Sequence, residues 1–99
     1  MLQRLKLTDI FRTAFFLAMG GILEDVLISD NGRRTGYFII RGENLNELDR
    51  TYRSGRALVE PLKFRASLNY VKDLMFEKLR EDRENEKGER YAKNRKNIS

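Results

Sequence analysis

Three features of this 99-residue chain predict an α+β fold ordered helix, β-hairpin, helix, short extended segment and long C-terminal helix. Apolar residues of helical period over 8–21 run into Gly20 and Gly21. An Asn31-Gly32 pair separates two β-prone runs, the local signature of a hairpin. Two further helical patterns then follow, punctuated by Gly55 and by the only proline, Pro61.

In the first helix, Ile10, Ala14 and Leu17 form one stripe and Phe11, Phe15 and Ala18 the next. With both stripes turned to the core, a step of about 100° per residue carries Phe16 to the opposite side, beside Arg12 and Met19. Phe16 is then either a single exposed ring or a contact with a second chain.

The hairpin spans 22–41. A two-residue turn at Asn31-Gly32 pairs Asp30 with Arg33, Ile28 with Thr35, Val26 with Tyr37 and Glu24 with Ile39. That register leaves both faces half apolar. Helices must cover one face, while the other face, or a free edge, is available to a second copy.

In "NLNELDRTYRSG" (44–55), Asn44 is placed as N-cap with Glu47 in the capping-box position, Leu45, Leu48 and Tyr52 share a stripe, and Gly55 is the C-terminal stop. Residues 57–59, "ALV", read as extended. Pro61 suits the first turn of the last helix, whose apolar face is Phe64, Leu68, Val71, Leu74, Met75 and Leu79. Beyond Leu79 only Tyr91, Ala92 and Ile98 are apolar, which predicts a single domain over 1–83 and a charged, solvated tail over 84–99.

Composition limits the chemistry. Without cysteine there is no disulfide or thiolate, and without histidine the usual zinc sites and the commonest general base are missing. The ten-residue run "AFFLAMGGIL" (14–23) is too short for a membrane span, and Asp9 among the preceding basic residues argues against a secretory signal. These observations predict a cytoplasmic protein with no cofactor, no metal and no membrane partner. Ser29, Ser54, Ser67 and Ser99 lack an activating base, Glu24 and Asp25 are strand neighbours that point apart, and "SGR" and "DNGRR" lack the lysine and context of a phosphate loop. The chain therefore reads as non-enzymatic.

The segments "AFFLAMG", "GYFII", "YRSGRALV" and "FRASLNYVKDLMF" together resemble a small family of unknown function associated with bacteria, their phages and other mobile elements. The resemblance spans about three quarters of the chain and rests on core and turn residues. It implies the same order of elements and an accessory role in a mobile element. Leu5 and Leu7 depart from the family pattern, which has an aromatic residue and then a threonine before Asp9, and the basic tail lies outside the family's span. Tyr52, Gly55, Ala57 and Val59 match it, which makes "RTYRSGRALVEP" first of all a helix end. Arg50, Arg53 and Arg56 occupy positions that the motif leaves open.

Two functional expectations follow. The net charge of +5 and the eight basic against four acidic residues over 31–65 suit DNA or RNA bound through its phosphates without sequence preference. The candidate contacts are Arg33, Arg34, Arg53, Arg56, Lys93, Arg95 and Lys96. The alternative is a homo-oligomeric interaction module, most simply a homodimer, with Phe16, Tyr37 and Ile39 at its interface and the charge serving solubility.

Overall fold

A computed structural model of the chain describes the backbone of residues 2–30 and 34–98, and the side chains of 2–29 and 35–83. The fold is mixed α and β. In chain order it has β1 (Leu2–Leu7), α1 (Ile10–Ala18), β2 (Ile22–Asp30), β3 (Arg34–Glu43), α2 (Leu45–Arg53) and α3 (Pro61–Ile98). The strands form one antiparallel sheet in the order β1-β3-β2. The helices pack on a single face of that sheet.

The first strand was not expected. "LQRLKL" turns Leu5 and Leu7 inward and Arg4 and Lys6 outward, and it pairs with β3 from Leu2↔Glu43 to Leu7↔Phe38. It occupies the outer edge of β3, so that edge is closed to a second copy. Leu7 belongs to the core cluster and Leu5 packs against it.

The hairpin forms with a corrected register. Asp30 pairs with Arg34 rather than Arg33, Ile28 with Gly36 and Val26 with Phe38. Three residues, 31–33, thus lie between the paired ends; the expected Asn31-Gly32 turn falls on them, outside the described residues. The ladder then shifts by one residue between Leu23 and Asp25, so that Leu23 meets Ile40. The physical reason is parity. Leu23 and Val26 are an odd number of residues apart and cannot share a face of a regular strand, so a bulge at Glu24 brings Leu23, Val26 and Ile28 to the helix side together.

Helix α1 begins at Asp9, whose carboxylate accepts from the Phe11 N–H at 2.9 Å, and whose carbonyl accepts from the backbone N–H and the hydroxyl of the buried Thr13. It ends on Gly20 at φ 99°, with Gly20 N–H donating to the Leu17 carbonyl and Gly21 N–H to that of Phe16. Ala14 and Phe15 of the two expected stripes are buried, but the expected places of Phe16 and Phe11 are wrong. Phe16 is fully buried while Phe11 is 50% exposed. The sheet and α3 flank α1 on different sides, so it buries a broad arc, Thr13 to Phe16, instead of two stripes.

Asn44 does not cap α2. It sits in the left-handed region at φ 59° and its side chain makes no capping bond, so the expected box with Glu47 is not formed. Gln3 of β1 replaces it, its Oε1 accepting from the Asn46 N–H at 3.0 Å. The far end of α2 is as read. Gly55 at φ 77° donates to the Tyr52 carbonyl and Arg56 N–H to that of Thr51, which closes a Schellman motif.

Residues 57–60 form no strand. Ala57 and Val59 pack against the core and Leu58 is 87% exposed. Glu60 then caps α3, its two carboxylate oxygens accepting from the N–H groups of Leu62 and Lys63 beside Pro61. The expected face, from Phe64 to Leu79, is the one turned inward, with Val71 fully buried. Helix α3 continues through the segment read as a tail, and the side chains of 84–98 lie outside the described residues. Among the described residues, no helix is long and apolar enough to cross a membrane.

Candidate interaction surface

Among the described residues, no element covers the face of the sheet opposite the helices. Strand alternation assigns it Leu2, Arg4 and Lys6 from β1, then Thr35, Tyr37, Ile39, Arg41 and Glu43 from β3. From β2 come Ile22, Asp25, Leu27 and Ser29, with Glu24 turned to the same side by the bulge. Leu2, Ile22 and Leu27 are exposed, and Tyr37 and Ile39 are half-buried among their neighbours.

The charges on this face are ordered. Arg4 Nε donates to Glu24 Oε2 at 3.1 Å, a bond that runs from β1 to β2 over the middle strand. Lys6 Nζ stands 4.3 Å from the centre of the Tyr37 ring, where the ring's quadrupole attracts it. Arg41, at the level of Arg4, has its Nε closed off from solvent with no hydrogen-bond partner. Among the described residues, three basic ones (Arg4, Lys6, Arg41) thus face three acidic ones (Glu24, Asp25, Glu43), and to that extent the face is neutral. The β1 side is basic and the β2 side acidic.

On the helix side, a second polar group clamps α1 to α2. Asp49 accepts from Arg12 Nε at 2.7 Å and pairs with Arg53 Nε at 3.1 Å. Tyr52 lies beside it, its ring 5.2 Å from that of Phe15. Burial raises the Tyr52 pKa above its usual value; the Asp9 charge raises it further and Arg12 opposes. Arg12, Asp49 and Arg53 are engaged with one another in this way and hold the two helices together.

The residues expected at a phosphate-binding site are not gathered by the described structure. Arg53 is committed to Asp49, and Arg56 is exposed just past the end of α2. Arg33 lies outside the described residues. Arg34 opens β3 and Lys93, Arg95 and Lys96 lie in α3, with their side chains outside the described set. Of the expected interface residues, Tyr37 and Ile39 do share the uncovered face, whereas Phe16 is packed against Phe15 in the core and has no surface to offer a second chain. Arg4 and Lys6 were missed because the strand that arranges them was missed; the alternation of Leu5 and Leu7 with Arg4 and Lys6 was the available signal. Comparison of the chain with protein-family models, with curated proteins and with solved structures finds no match, so the surface has to be interpreted from its own geometry.

Proposed function

We propose that this chain is a non-enzymatic, homo-oligomeric interaction module whose uncovered sheet face is buried between copies. It acts in the cytoplasm as an accessory protein of a mobile element, a setting suggested by the family resemblance. The observation that carries the oligomeric reading is the composition of the face: five apolar residues interleaved with three basic and three acidic ones. A phosphate-binding platform needs an excess of positive charge, and a plain solvated face does not need Leu2, Ile22, Leu27, Tyr37 and Ile39 together. Sedimentation over a rising concentration series is expected to show a dimer that Ile39→Asp returns to monomer with an unchanged circular dichroism spectrum. A wild-type chain that stays monomeric throughout overturns the proposal.

A second reading, non-specific binding of DNA or RNA, has one observation in its favour. Because the face is neutral, the net charge of +5 is carried elsewhere on the chain. Duplex binding whose logarithm falls linearly with log salt, with a slope reduced by about two in the Arg33→Ala/Arg34→Ala double variant, is the result expected of it. No binding at low salt excludes it.

A further inference from the structure

We infer that the two copies meet about a two-fold axis running parallel to β3 and over it, so that β1 of each copy lies across from β2 of the other. The inference rests on the reading that this face is buried between copies, and it specifies the arrangement.

A face-to-face dimer has its two-fold axis in the plane of contact, and two simple directions are available. An axis perpendicular to the strands sets β1 on β1 and β2 on β2. Arg4 and Lys6 then oppose Lys6 and Arg4, and Glu24 and Asp25 oppose each other. An axis parallel to the strands exchanges the columns and keeps the rows. Lys6, Ile39 and Asp25 form one row of the sheet. Lys6 of each copy is therefore set against Asp25 of the other, and Ile39 against its own counterpart on the axis. The Arg4–Glu24 bond crosses above β3, so two such bonds meet over the axis as a ring of alternating charges. Tyr37 stacks on its counterpart beside Ile39. Arg41, whose Nε has no acceptor among the described residues, meets its own counterpart on the axis and lies diagonal to Glu43 of the second copy, two residues along the same strand. Aligned sheets cross at about −30°, which keeps the centre of the face in register and lets its ends splay.

Area sets the strength. Three strands about 4.8 Å apart and about eight residues long offer a footprint of about 400 Å² per copy. Two such footprints fall in the class of weak, transient interfaces, with dissociation in the micromolar range. The contact is isologous and uses the whole face in both copies, so assembly through it stops at two.

Charge reversal in opposite columns tests the arrangement. Lys6→Glu makes the β1 column opposite Asp25 acidic, and Asp25→Lys makes the β2 column opposite Lys6 basic. Each variant alone is expected to dimerise about tenfold more weakly than the wild type, because like charges then meet twice. An equal mixture is expected to form a heterodimer at near wild-type strength, seen by native mass spectrometry, because both charge contacts then join opposite charges, one with its signs reversed and one as in the wild type. Should Asp25→Lys lose the fold, Glu24→Lys reverses the same column. Dimers whose strength neither reversal changes, or single losses that mixing does not recover, overturn this arrangement while leaving the sheet-face reading in place. A wild-type chain that never dimerises overturns both.

Discussion

Tyr37 and Phe38 are neighbours on one strand, and they live in different solvents. Phe38 points to the helices and is fully buried, as are Ile40 and Val71. Tyr37 points to the bare face, half-buried under the Lys6 ammonium. The helix side is a packed core in which polar atoms are rare and satisfied, as in Thr13 bonded to Asp9. The other side mixes leucine and isoleucine with six charges and leaves Arg41 Nε without an acceptor. A face of the first kind holds the fold together. One of the second kind is the face that the proposed dimer would bury.

The sharpest way to break this comparison is to truncate both neighbours. Phe38→Ala is expected to lower stability by about 3–5 kcal/mol in urea unfolding, through lost burial and the cavity left behind. Tyr37→Ala is expected to cost about 1 kcal/mol or less, the scale of one cross-strand pair, while weakening self-association. Equal losses of stability would mean that the two faces are energetically alike.

Close approach on the covered side gives the next largest effect. A Cβ on Gly21 would lie 2.9 Å from the Phe16 carbonyl oxygen and 3.1 Å from Ile40 Cγ2. Backbone cannot yield as a side-chain tip can, so Gly21→Ala is expected to lose about 1–3 kcal/mol by thermal denaturation. Asp9→Ala is smaller, at about 1 kcal/mol, because it removes the helix cap that leads β1 into α1. Neither change touches the bare face, so both should leave self-association unaltered at temperatures where the chain is folded.

The smallest effect is on pH. Tyr52 has a raised pKa in the fold, chiefly because burial disfavours the phenolate. Its folded value lies above its unfolded one, so its contribution is fully present below about pH 10 and is lost as pH rises through the folded pKa. Tyr52→Phe is expected to flatten the stability profile above pH 10 and to change nothing near neutrality.

What the sequence settled alone was local. Gly20 and Gly55 end helices because a left-handed residue there closes two backbone bonds, Pro61 opens α3 because its missing N–H is needed nowhere, and the face from Phe64 to Leu79 follows from helical period. The middle of the candidate surface was legible in the same way, since alternation along "GYFII" puts Tyr37 and Ile39 together. The rest depended on distant partners. Whether "LQRLKL" is a strand is decided by the free edge of β3. Which residues of α1 are buried is decided by the elements that flank it, which put Phe16 inside with Leu7, Ile40 and Leu45 and left Phe11 out. Gln3 displaced Asn44 as the acceptor at the start of α2 because the sheet carries β1 there. The register slipped by one and recovered at Glu24 because three apolar residues of odd spacing all had to reach one core. Backbone geometry and side-chain period are properties of a short stretch of chain. Edges, flanks and register belong to pairs of elements, and only the folded chain brings those pairs together.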